Sequence, residues 1–169
     1  MSYTIWLVPN EEKVKTYLAQ IIKELADKYN GPIFEPHATL LGDLPLRLDE
    51  VTKGCEHFVS KTNSFKAEID SIEYSTTYYQ CIFARLKPTP ELMSLYDLAK
   101  QSLGLTKQSI FMPHISLFYG DVSYQLRQEI VDSMQFVPQQ FTVASVIVVP
   151  GGENPPSEWK HLTELKFLL

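Results

Sequence analysis

The segment EPHATLLGD, which begins at Glu35, returns in altered form as MPHISLFYGD from Met112. Each copy reads Pro, His, an apolar residue, a hydroxyl residue and Leu, and reaches Gly-Asp shortly afterwards. His37 and His114 stand 77 residues apart in a chain of 169, one in each half. The alternation predicts a short strand for each copy, 37–41 and 114–118. Residues two apart in a strand share a face. His37 and Thr39 therefore point one way, and Ala38 and Leu40 the other. His114 and Ser116 repeat the pattern against Ile115 and Leu117. The apolar faces suit a core, whereas the polar faces are expensive to bury alone. Two lobes that turn their polar faces toward one cleft satisfy both demands.

The intervening segments fit that plan. SYTIWLVP alternates as a strand, with Thr4, Trp6 and Val8 on one face and Tyr3, Ile5 and Leu7 on the other. Val14, Leu18, Ile21, Ile22 and Leu25 recur at helical spacing over 11–29, and Gly31-Pro32 stops that helix. RLDEVTKGCEHFVSK predicts a second helix. SFKAEIDSIEYS and YYQCIFARL predict a strand pair across Thr76-Thr77. In the second half, Pro90 opens a helix with Leu92, Leu95, Tyr96 and Ala99 on one face, capped near Gly104. SYQLRQEIVDSM predicts a helix that buries Leu126, Ile130, Val131 and Met134. FTVASVIVVP and WKHLTELKFL predict closing strands, joined by the turn-rich loop PGGENPPSE. The fold class expected is α+β. Two pseudo-symmetric lobes, each a small antiparallel sheet with helices on its outer face, flank a shared cleft. The whole chain, 1–169, is expected to form a single bilobal domain by internal duplication, with the cassettes at 36–42 and 113–121.

Size and composition narrow the function classes. A chain of this length buries roughly two thirds of its unfolded surface and needs no staples. Two cysteines, Cys55 and Cys81, make no disulfide framework, and no Cys/His cluster has zinc spacing. The N-terminus lacks the pattern of a secretory signal, and no apolar run reaches the length of a membrane span. These features predict a cytoplasmic protein with no membrane partner. A formal net charge of −5 argues against a long nucleic-acid footprint, which needs clustered Lys and Arg. A small phosphate ligand remains compatible, because a few aimed donors can hold it. A monomer without metal or cofactor is expected.

Two imidazoles and two hydroxyls converging on one volume suit a phosphodiester. A neutral imidazole takes a proton from water and a protonated one gives a proton to the leaving oxygen. An ordinary pKa of about 6.5 lets both forms coexist near neutrality. Each transfer contributes roughly 10²–10⁴-fold in rate. The hydroxyls of Thr39 and Ser116 can donate to the non-bridging oxygens as charge grows there.

The paired motifs HATL and HISL carry a resemblance to the two-histidine (2H) phosphoesterase superfamily. With YTIWLVP, FEPHATLLGDL, YYQCIFARL, MPHISLFYGDV and EWKHLTELKF, the chain is similar to the plant and yeast cyclic phosphodiesterase branch from Ser2 to Phe167. The resemblance implies a bilobal duplicated fold. It implies hydrolysis of 2′,3′-cyclic nucleotides to 2′-phosphates, of ADP-ribose 1″,2″-cyclic phosphate to the 1″-phosphate, or of both. The second substrate is a by-product of tRNA splicing. On this resemblance His37 and His114 form the acid/base pair, with His114 as water-activating base and His37 as acid, roles that exchange with substrate orientation. Thr39 and Ser116 hold the phosphate. Tyr119 and Trp6 border the site, and Trp6 reads equally as a buried strand anchor. Regulation by disulfides and recognition of a tRNA body are not carried over, since this chain has two cysteines and no long basic insertion. The alternatives are an RNA 3′-end phosphodiesterase of the same superfamily and a nucleotide-binding module without turnover. Tyr78 and Tyr79 fit either a sheet or the cleft. Trp159 reads as an anchor for the last strand, and His57 and His161 as ordinary residues.

Overall fold

Local signals in the sequence delimit the helices. The computed structural model describes residues 2–107 and 109–169. β1 (Tyr3–Leu7) leads into α1 (Glu12–Tyr29) and returns as β2 (Ala38–Leu44). α1 ends at Asn30, whose φ of 57° is left-handed, and Gly31 follows. A Cβ at Gly31 would lie 2.4 Å from the Phe118 ring, so the path into the first cassette requires glycine. α2 (Leu48–Val59), β3 (Phe65–Tyr74) and β4 (Ile82–Leu86) come next. α3 (Pro90–Ser102) is capped by Thr89, whose side chain accepts from the Leu92 amide, and carries proline in its first turn. β5 (His114–Phe118) precedes α4 (Tyr124–Ser133), where Ser123 is the cap. β6 (Gln140–Val143), β7 (Ser145–Pro150), a 3₁₀ turn (Pro156–Glu158) and β8 (Thr163–Lys166) complete the described chain.

The strands form one antiparallel sheet in the order β6-β3-β4-β5-β2-β1-β7-β8. Its halves, β6-β3-β4-β5 and β2-β1-β7-β8, are the two expected lobes. They meet at a single residue pair, Ala38 opposite Ile115. The sheet curls until its ends approach each other: Ala144 alone joins β6 to β7, and the Ser64 amide donates to the Leu168 carbonyl at 2.9 Å. One apolar core lies on the helix side, with Ile5, Leu7, Ala38, Leu40, Ile115 and Leu117 of the strands packed on Leu18, Ile22, Phe58 and Leu92 of the helices. Each fully buried side chain of this size stabilises the fold by about 1.5–3 kcal/mol. α1 lies against β5 and α3 against β2, so each helix backs the cassette strand of the other half.

Several boundaries differ from expectation. FTVASVIVVP is divided at Ala144, and its parts pair in different lobes, β6 on β3 and β7 on β1. Continuous apolar character cannot reveal such a crossing, because both parts are buried. Tyr78–Cys81 lie outside β4, in the connection 75–81, where Ser75 hydrogen-bonds the Gln80 carbonyl and ends the ladder. β8 covers Thr163–Lys166 only. Of the residues expected to be buried on α4, Ile130 is buried while Leu126, Val131 and Met134 are half-buried; Arg127 takes the interior position. His37 stands one residue ahead of β2.

Candidate active site

Beyond Ala38 and Ile115 the two cassette strands diverge, and the cleft opens between them. Ala38 and Ile115 are the one residue pair of the two cassette strands, and the histidine and hydroxyl of each cassette flank that pair in sequence. The cavity is about 360 Å³, and Trp6, His37, Thr39, His114, Ser116 and Tyr119 all line it. All six residues singled out from the sequence therefore share one volume. Thr4, Tyr79, Gln80 and Trp159 complete much of its wall, with Asp43 and Gly151-Gly152 at one end.

The two histidines are held alike. His37 Nδ1 lies 2.7 Å from the Glu35 carbonyl oxygen, and His114 Nδ1 lies 2.9 Å from that of Met112. A carbonyl only accepts, so in each ring Nδ1 carries the hydrogen, and the neutral ring keeps its Nε2 lone pair for the cleft. The proline after each of those carbonyls helps hold the backbone in this extended approach. Burial pushes the His37 pKa down to about 4, against the Glu35 bond that raises it, and charge on His114 lowers it further. Burial also lowers His114, with the Met112 bond opposing. The free cleft thus favours neutral rings, and His114 is the less deeply buried of the two.

The hydroxyls are not equivalent. Ser116 Oγ donates to the Tyr79 carbonyl at 2.8 Å. Burial raises the Tyr119 phenol well above its ordinary value, so it stays protonated. Its ring stacks on Phe34, with centroids 4.0 Å apart. Trp6 is 2% exposed and joins Val8, Ile147 and Val149 in a small apolar cluster on the cleft side of the sheet. Trp6 is therefore an anchor of its strand and a wall of the cleft at once.

Three features escaped the sequence reading. Trp159 points its ring edge at Trp6 and His37, while its Nε1 donates to the Asn154 carbonyl at 2.9 Å. Its position after a turn-rich loop carried no periodic signal. Arg127 is 2% exposed and donates to the carbonyls of Val122, Ser75, Thr77 and Gly120. It thereby ties the 75–81 connection, which carries Tyr79 and Gln80, to the segment after β5. The signal for Arg127 was present, since it lies three and four residues before Ile130 and Val131 on the apolar stripe. His161, read as ordinary, lies with Nε2 2.7 Å from the Glu35 carboxylate and edge-on to Trp6. Tyr79 lines the cleft, and Tyr78 stacks toward Tyr119 with centroids 6.3 Å apart.

Comparison with known proteins identifies the family and the fold. Residues 1–166 match the family described as cyclic phosphodiesterase-like protein. The chain is 29% identical over 121 residues to the Arabidopsis thaliana cyclic phosphodiesterase, covering 72% of this chain and 66% of that protein. It is 28% identical over 151 residues to a 2′,3′-cyclic-nucleotide 3′-phosphodiesterase of Kluyveromyces lactis, covering 78% of this chain and 70% of that protein. The first of these matches spans just under two thirds of its relative's length. TT0787 of Thermus thermophilus has the same fold, with a TM-score of 0.70 at 16% identity over 99% of this chain and 98% of that one. Escherichia coli LigT, solved with 3′-AMP, superposes with a TM-score of 0.62 at 12% identity over the same shares. Among the described residues no helix is long and apolar enough to cross a membrane. A duplicated cassette, a sheet joined at one pair between its copies, and a match along nearly the whole sequence lead to one assignment: the chain belongs to the cyclic phosphodiesterase-like family.

Proposed function

We propose that the chain hydrolyses cyclic phosphodiesters of small nucleotides, converting 2′,3′-cyclic nucleotides to nucleoside 2′-phosphates, ADP-ribose 1″,2″-cyclic phosphate to the 1″-phosphate, or both. The supporting observation is the matched pair of imidazoles, each anchored through Nδ1 and offering Nε2 to one cleft. The oxygen of a water molecule bonds to phosphorus as one neutral imidazole takes its proton. The bond from phosphorus to one ribose oxygen breaks, and that oxygen takes a proton from the other, protonated imidazole. One water is added in sum, and proton exchange with solvent resets the rings. The ring nearer the leaving oxygen is the acid, so substrate orientation sets the roles. Thr39 and Ser116 donate to the non-bridging oxygens, which requires Ser116 to turn its proton from the Tyr79 carbonyl to the phosphate. Tyr79 and Trp159 offer apolar ring surface to ribose and base, where one stacked base is worth about 1–3 kcal/mol.

The test is a panel of 2′,3′-cyclic nucleotides and ADP-ribose 1″,2″-cyclic phosphate, incubated with the protein in EDTA and followed by phosphorus NMR. The expected outcome is a single phosphomonoester product from at least one of them. No turnover of any, or turnover abolished by the chelator, refutes the reaction as written.

A further inference from the structure

Apart from the two histidines, Asp43 is the residue with a formal charge at neutrality among the described residues that line the cleft. No Lys or Arg is among them. One neighbouring cation is matched with a carboxylate. Arg85, opposite His114 in the β4–β5 register, pairs with Glu73 at 3.0 Å. His161 pairs with Glu35 at 2.7 Å. The furnishing of the cleft thus balances one phosphate, through one imidazolium and the neutral donors Thr39 and Ser116. A second phosphate on the same substrate would find no cation along the wall and would meet the Asp43 carboxylate.

Asp43 is placed deliberately for a polar residue. Its φ of 51° is left-handed, a conformation that Asp and Asn tolerate better than other side chains. Its Oδ1 accepts from the Gly152 amide at 2.7 Å, and its own amide donates to Thr4 Oγ1 at 3.4 Å. The Gly151 amide donates to the Ser2 carbonyl at 2.8 Å, which seats the same loop against β1. The carboxylate is therefore held at the end of the cleft between β2 and the 151–158 loop.

We propose that Asp43 sets the charge selectivity of this site: it admits a cyclic phosphate carried on an otherwise uncharged nucleoside and disfavours substrates that bear additional phosphates. This rests on the cleft being a cyclic phosphodiesterase site, and it narrows that reading toward 2′,3′-cyclic nucleoside monophosphates over ADP-ribose 1″,2″-cyclic phosphate. Repulsion between charges at the mouth of a hydrated cleft is modest and is screened by salt.

The experiment compares kcat/KM of the whole chain and of Asp43→Asn on three substrates. They are adenosine 2′,3′-cyclic monophosphate, the same molecule with a 5′-diphosphate, and ADP-ribose 1″,2″-cyclic phosphate. Asparagine suits the left-handed backbone and keeps Oδ1 as acceptor for Gly152, so the variant removes charge without removing the tie. The wild type should prefer the monophosphate, and Asp43→Asn should narrow that preference by roughly three- to tenfold. Raising salt from about 0.05 M to about 0.5 M should narrow it in the wild type and much less in the variant. An unchanged preference in the variant, or a wild type that favours the polyanions, overturns the proposal. Calorimetric titration with adenosine 2′-phosphate and its 5′-diphosphate derivative makes the same comparison by affinity. Selectivity is thereby decided even if none of the three substrates turns over, an outcome that would count against the hydrolytic reading instead.

Discussion

The indole of Trp6 lies face to face on the imidazole of His37, with ring centroids 3.7 Å apart and planes 14° from parallel. Trp159 closes the same imidazole edge-on at 5.8 Å, and Phe34 does so at 6.4 Å. His37 is thus fixed by aromatic rings around its faces and edges and by the Glu35 carbonyl at Nδ1. The indole that borders the cleft is also what orients the proposed acid/base group. Trp6→Phe, which keeps a ring against His37, should retain turnover within about tenfold of wild type. Trp6→Ala should lose about 3–5 kcal/mol of stability as a large buried side chain becomes a cavity. Urea denaturation and steady-state rates on a cyclic nucleotide check the two variants together.

Replacing either histidine should remove an acid/base group. His37→Ala and His114→Ala should each lower turnover of a cyclic phosphodiester by at least about a hundredfold. Near-normal rates in either variant, in protein shown folded by circular dichroism, would refute the paired mechanism.

The hydroxyls should separate in their effects. Thr39→Ala removes a phosphate donor. Ser116→Ala removes a donor and also the bond to the Tyr79 carbonyl, freeing the 75–81 connection. Both should lose turnover, and Ser116→Ala should in addition accelerate amide hydrogen exchange across 75–81. Equal exchange in the two variants would contradict the role given to Ser116 in holding that wall.

Arg127 links the fold to the cleft. Arg127→Met leaves the carbonyls of Ser75, Thr77 and Val122 without their donor, at a cost of about 1–3 kcal/mol for each one left buried and unpaired. The variant should melt earlier and raise KM for a cyclic nucleotide, because Tyr79 and Gln80 lose their support. Its effect on kcat/KM should be non-additive with that of Ser116→Ala, since both act through the same connection. Additive losses would show that Arg127 serves stability alone.

Stability should depend on pH through His37. In the fold its pKa is about 4, against 6.5 when unperturbed. The unfolded chain therefore binds the proton first as pH falls. The contribution of neutral, buried His37 is fully present above pH 6.5 and is lost progressively from there to about 4. Its size is about 3 kcal/mol. His114 adds to the same trend, because burial lowers it too. Urea denaturation at several pH values should show a smaller loss across this window in His37→Gln than in wild type.

Much of the site was legible because its signal is local. The alternation in HATL and HISL sends both polar pairs to one face, and cap residues such as Thr89 and Ser123 announce their helices within a turn. Arg127 was legible in principle, but a cation on an apolar stripe reads more readily as surface. Trp159 and Asp43 were not legible. Their partners lie far off in the chain: Gly152 for Asp43, and Trp6 and His37 for Trp159.

The sequence by itself determined the strands, the helices and the two polar faces, because period and capping act over a few residues. The tertiary structure decided that the faces meet. One pair, Ala38 with Ile115, joins two half-sheets that then curl. The division of FTVASVIVVP at Ala144, the carbonyl cage around Arg127 and the carboxylate at the cleft end follow from that curl. It depends on contacts between segments that no local pattern connects.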